Sequence, residues 1–203
     1  MRWQLVMLLF SLSLFVVACQ TTTATPISID QLIIILKTPE SKDFSKATKK
    51  LGEMGQEAAS ASLALAEAMQ YPRHDSYMAA QALIKIGPDA KEAIPELLIA
   101  LENERSEIRA DAAIVLGVIG EAAQCAVPNL AQHLWDDAPE VSSSAARALD
   151  AITGVDLVEE VDKLAVSTSV IYDEDGTISE KARYWWSDEG QNEDWDRGVG
   201  SCR

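Results

Sequence analysis

Two strings of ten residues recur in this chain 33 positions apart: Ile86-Gly87-Pro88-Asp89-Ala90-Lys91-Glu92-Ala93-Ile94-Pro95 and Ile119-Gly120-Glu121-Ala122-Ala123-Gln124-Cys125-Ala126-Val127-Pro128. Both open on Ile-Gly and close on Ala-aliphatic-Pro. The marker extends upstream to Met54-Gly55 and downstream to Ile152 and Gly154, in steps of 32 to 34 residues. A fixed period of this length means stacked copies of one supersecondary unit, none of which can bury its apolar faces alone.

Between the markers the apolar residues follow helical spacing in two blocks. Ala93, Ile94, Leu97, Leu98 and Leu101 form one stripe, and Ile108, Ala112, Val115, Leu116 and Ile119 the other. Both obey the i, i+3, i+4, i+7 rule of a half-buried helix. The same phases are filled downstream by Val127, Leu130, Ala131 and Leu134, then Val141, Ala145, Ala148, Leu149 and Ile152. Upstream they hold Leu63, Leu65 and Met69, then Met78, Ala82, Leu83 and Ile86. Each unit is therefore a helical hairpin. Paired alanines (Ala79-Ala80, Ala112-Ala113, Ala145-Ala146) let helices of adjacent hairpins approach closely. Gly87 and Gly120 stand where a helix should end in a left-handed turn. Pro95 and Pro128 either start the first helix or kink it. A looser unit precedes Gly55, with Asp30 as cap of a helix through Leu32, Ile35 and Leu36, and a second helix from about Asp43 to Met54.

These residues carry a family resemblance. The Ile-Gly…Ala-aliphatic-Pro…Leu and Ala-Ala…Leu-Gly-x-Ile-Gly pattern resembles the short HEAT-like repeats named after phycobilin lyases, over about Gly55 to Gly154. The ankyrin and tetratricopeptide signatures are absent. The resemblance implies an armadillo-like α-solenoid. It also implies a basic residue near the start of each second helix meeting an acidic one in the neighbouring turn. Arg109 sits at that phase with Glu107 nearby, whereas Tyr77 and Ser142 replace it in the flanking units.

The N-terminus supplies an address. Arg2 is a positive start, Trp3 to Phe15 are mostly apolar, and Val16-Val17-Ala18-Cys19 closes the run. That layout is a secretory signal. It resembles the lipobox of bacterial lipoproteins, which implies cleavage before Cys19 and a lipid anchor on that residue. Gln20 to Pro26 have no periodicity and read as a tether. The formal charge of −15 opposes unaided binding to nucleic acid or anionic lipid. Neutral, basic or cation-bridged partners are expected. Cys125 and Cys202 are the other two cysteines. They form either a single bridge or two independent thiols, and the second reading is favoured because Cys125 is a small apolar residue of an Ala-rich helix.

Chemistry-bearing constellations are sparse. The two histidines, His74 and His133, form neither a His-Glu pair nor a His-x-x-x-His spacing. Deoxyhypusine hydroxylase, an iron enzyme of similar repeats, binds metal through His-Glu pairs; here Asp75 and Leu134 follow the histidines. No nameable residue supports phycobilin lyase activity. Asp173-Glu174-Asp175-Gly176 matches the middle of a calcium loop, but Ile171 and Ala182 would occupy its first and twelfth positions. A β-hairpin turning at Asp175-Gly176, between Ser169–Tyr172 and Thr177-Ile178, fits better.

The expectation is an all-α chain: signal peptide 1–18, tether 19–28, an α-solenoid of about four HEAT-like hairpins over 29–154, and an acidic, Trp-containing cap over 155–203. Trp185 and Trp186 would cover the last hairpin's apolar end, with an exposed aromatic patch as the alternative. The function expected is a non-catalytic scaffold, lipid-anchored in the cell envelope, binding a protein partner and no nucleic acid, metal or cofactor. The alternative is an enzyme of the HEAT-repeat type, a lyase or an oxidoreductase. Contact positions expected are Arg105, Glu107, Arg109, Asp136, Asp137 and Arg147 on the exposed phases, with Trp185 and Trp186. Glu104, Asp111 and Glu140 share that surface.

Overall fold

In a computed structural model of the protein the described residues are 27–38, 40–71, 76–154, 183, 186–188 and 190–192. The signal peptide, Cys19, the hairpin expected around Asp175-Gly176, and Trp185 lie outside them. Among the described residues there is no strand. The order is α1 (Ile29–Leu36), α2 (Phe44–Met54), α3 (Ser62–Met69), α4 (Ser76–Ile86), α5 (Ile94–Leu101), α6 (Ser106–Ile119), α7 (Val127–Gln132) and α8 (Pro139–Thr153). Paired in sequence, these are four hairpins in an all-α solenoid.

The repeat marker is a joint of one kind used three times. Gly55, Gly87 and Gly120 have φ of +57°, +76° and +70°, and each opens a 3₁₀ segment: Gly55–Ala61, Gly87–Ala93 and Gly120–Ala126. At Gly55 and Gly120 ψ is −130° and −136°. At Gly120 the chain therefore leaves the helix not through the left-handed turn expected there, but, as at Gly55, through a mirror-image extended conformation even less open to a residue with a Cβ. Gly154, which ends α8 with φ 66° and ψ 12°, does adopt the left-handed cap. Pro95 and Pro128 occupy the second positions of α5 and α7. They start these helices, where a missing N–H costs nothing.

The stripes bury as their spacing requires. Leu65, Met69, Leu83, Leu97, Leu101, Ile108, Leu116, Leu130 and Leu149 are within 1% of full burial. Each side chain of this size contributes about 1.5–3 kcal/mol. Leu63 departs from its stripe and is 44% exposed on the first turn of α3. All six paired alanines are buried. The second helices α2, α4, α6 and α8 pack more extensively on one another than the first helices do. That wall is the closer-packed side of the array.

Two glycines allow the closest approaches. A Cβ at Gly117 of α6 would stand 3.0 Å from the Ala148 Cα of α8, and one at Gly52 of α2 would stand 3.1 Å from the Ala82 Cα of α4. One repeat on from Gly52, α4 carries the half-buried Ile84 instead. Correspondingly, α4 and α6 pack least extensively of the three neighbouring second-helix pairs.

The first unit starts two residues earlier than its acidic residue suggests. Ser28, not Asp30, is the N-cap of α1: its Oγ accepts from the Gln31 N–H at 3.3 Å while the Gln31 Oε1 accepts from the Ser28 N–H at 3.1 Å. This reciprocal pair is a capping box, and Asp30 lies in the first turn, where its charge suits the helix dipole. The stretch Ser106–Trp135 is long and apolar enough to cross a membrane. Gly120 redirects it midway, and the apolar faces of α6 and α7 are buried in the array.

Candidate interaction face

The turns that lead into α6 and α8 hold the densest polar network described in the array. In each, a residue at the same repeat phase caps the backbone two residues on: Asn103 Oδ1 accepts from the Arg105 N–H, and Asp136 Oδ1 from the Ala138 N–H, both at 3.0 Å. Arg109, on the first turn of α6, joins the two turns. Its Nε and one terminal nitrogen donate to the two Asp136 carboxylate oxygens at 2.8 and 2.7 Å. The other terminal nitrogen donates to the Asn103 carbonyl at 2.9 Å and the Glu104 carbonyl at 3.2 Å. This planar fork meeting a carboxylate on two bonds is the strong form of an ion pair.

Arg109 and Asp136 side chains are only 13% and 6% exposed. Burial alone would push the Asp136 carboxyl up. The bonds from Arg109, the Ala138 N–H and His133 overcome it and hold the group well below the ordinary carboxylate range. The Asp136 carboxylate in turn raises the Arg109 pKa, chiefly through its hydrogen bonds. His133 extends the network, with Nδ1 3.3 Å from Asp136 and Nε2 3.4 Å from Glu102. The pair is thus a clamp between consecutive repeats, and both charges are committed to it.

Serine hydroxyls add further bonds between neighbouring second helices. Ser76 Oγ at the head of α4 donates to Asp111 of α6 at 3.1 Å, and Ser106 Oγ at the head of α6 donates to Glu140 of α8 at 2.8 Å. The Glu140 carboxyl is held below its usual value by its own backbone N–H and by Ser106. Gln70 after α3 reaches Glu96 of α5 at 2.6 Å. Where the resemblance implied an ionic ladder, Arg109–Asp136 is an ionic rung with Ser106–Glu140 beside it at the α6–α8 junction, and Ser76–Asp111 serves at the α4–α6 junction. Nothing in the stripes signalled these serines, because a serine opening a helix reads as a cap.

The remaining expected contact residues are dispersed. Glu107, Asp137 and Arg147 are exposed, Asp137 at 95%, although it touches Arg109 at 3.2 Å. Arg105 is half-buried at the start of α6. Trp186 packs, partly buried, against the core, and Trp185 is outside the described residues. Exposed apolar residues that the stripe analysis passed over stand on the same wall: Tyr77 of α4 at 58% and Ile114 of α6 at 41%. Among the described residues, no three of His, Cys, Asp and Glu are grouped to hold a metal. His74 is outside them.

Residues 64–150 match the family model of HEAT repeats. The match runs from α3 into α8, less than half of the chain, and takes in the glycine joints at Gly87 and Gly120 that the period marks most clearly. HEAT-like repeats are thus shared by the family model, the sequence period and the hairpin geometry. No curated protein matches the chain.

Cys125 departs from the favoured reading of an independent thiol. Cys125, half-buried on the 3₁₀ segment Gly120–Ala126, is disulfide-bonded and not a free thiol. Cys19 and Cys202 lie outside the described residues.

Proposed function

We propose that this chain is an exported lipoprotein, processed before Cys19 and anchored there, whose HEAT-like array is a non-catalytic scaffold for another protein of the cell envelope. The observation that carries the reading is the wall of second helices, on which Tyr77, Ile114, Glu107 and Arg147 are exposed across three successive units. A rigid row of helices presents such side chains at repeat spacing, which suits an extended protein surface better than a small molecule. The net charge of −15 favours a neutral or basic partner.

Because Arg109 and Asp136 hold two repeats together, the contact set is Tyr77, Glu107, Ile114 and Arg147, and the clamp supports it. The test is crosslinking and affinity capture of the tagged full-length protein from its host's membranes, followed by direct binding of the captured partner to the purified protein. The scaffold reading expects that binding to be lost in Tyr77→Ser with Arg147→Glu, variants whose helical circular dichroism and melting stay at wild-type values. Binding that survives these changes overturns the face, and a preparation carrying a stoichiometric chromophore or metal overturns the non-catalytic reading.

A further inference from the structure

The C-terminal segment returns to the last hairpin at described points. Arg183 donates from Nε to the Leu134 carbonyl and lies over the Trp135 ring, 5.8 Å from its centroid. Trp186 packs against the core, and Gly190 is buried. These contacts are individually weak, because Trp135 remains 55% exposed and water competes for both groups. Cys125, in the 3₁₀ segment leading into that same hairpin, is disulfide-bonded.

We propose that the partner of Cys125 is Cys202 and that the bond is an oxidative latch, holding the C-terminal segment on the last hairpin. The chain has three cysteines. The choice between the two remaining partners rests on the lipoprotein reading: a Cys19 sulfur carrying a lipid thioether has no thiol to give, which leaves Cys202. Closing the latch requires an oxidant of the disulfide class. One protein thiolate attacks that disulfide and expels a thiol. The second protein thiolate then attacks the mixed disulfide and expels the other, so two protein thiols become one bond while the oxidant gains two electrons and two protons. An exported compartment permits this chemistry. The bond keeps the segment at high local concentration over Trp135, so weak contacts suffice to cover the array's end. Reduction frees the segment and uncovers the rest of Trp135 and the Trp186 site as an apolar surface.

The test uses full-length protein from host membranes, alkylated before lysis and digested without reductant. A linked peptide pair containing Cys125 and Cys202, separated by reductant, is the expected result. Lipidated Cys19 with both other cysteines alkylated overturns the latch and leaves the lipoprotein reading standing, whereas a Cys125–Cys19 pair overturns both. The latching role is read by tryptophan emission. Reductant should shift the wild-type maximum to the red, and Cys202→Ser should show that position without reductant. Wild-type emission unmoved by reduction, or a Cys202→Ser spectrum equal to that of the oxidised wild type, overturns the role even with the bond present.

Discussion

Asp136 is a carboxylate that the fold cannot easily spare or protonate. Its side chain is 6% exposed and takes two bonds from Arg109. Arg109→Met leaves that charge buried without its partner, and we expect a loss of about 3–5 kcal/mol in urea denaturation at neutral pH. Asp136→Asn should cost less, since it removes the charge along with the ion pair. The pH dependence has a definite sign. The folded pKa of Asp136 lies below its unfolded value, so its stabilisation is complete above the unfolded carboxylate range, near ~4, and is lost as pH falls toward the folded value. Urea midpoints between pH 6 and pH 3 should therefore fall more steeply for wild type than for Asp136→Asn; parallel curves would show that another group governs the acid limb. Gly120 is the other demanding residue. At φ +70° and ψ −136°, Gly120→Ala should destabilise by about 1–3 kcal/mol although nothing lies within 4 Å of the added methyl.

Helix ends and helix pairs respond differently from single residues. The capping box of α1 satisfies two N–H groups at the start of the first described helix. Ser28→Ala should cost about 1 kcal/mol, felt as faster amide exchange in α1 and little change beyond α2, because each repeat contacts its neighbours alone. Gly117→Ala is expected to do the reverse. Its methyl would meet the Ala148 backbone at 3.0 Å, forcing α6 and α8 apart along their most extensive contact, and amide exchange should accelerate in both helices. The helices themselves were legible from the i, i+3, i+4 pattern, since burial of one face is written locally in sequence. The conformation at Gly55 and Gly120 was not: a glycine after a helix fits both the left-handed cap and the mirror-image extended turn, and only the path into the following 3₁₀ segment selects between them.

For the whole molecule, the lipid anchor and the array make separate predictions. Cys19→Ala should move the protein from the membrane fraction to the soluble exported fraction without changing its melting temperature; a variant that stays lipidated and membrane-bound would refute the anchor. From the sequence by itself came the period of about 33 residues, the all-α hairpins and most of the buried aliphatic positions from α3 to α8, because repeat spacing and helical phase are properties of neighbours along the chain. Tertiary structure decided how the polar groups are used. Arg109 finds Asp136 27 residues away and Arg183 finds Leu134 49 residues away, so neither partner is set by local spacing. Arg109 and Asp136, which the sequence offers as contact positions, join two repeats, and Cys125, which reads as a small buried thiol, is covalently paired. Burial can be inferred from a residue's phase in a helix, but a hydrogen bond, an ion pair or a disulfide needs two groups brought together, and that meeting is fixed only when the hairpins stack.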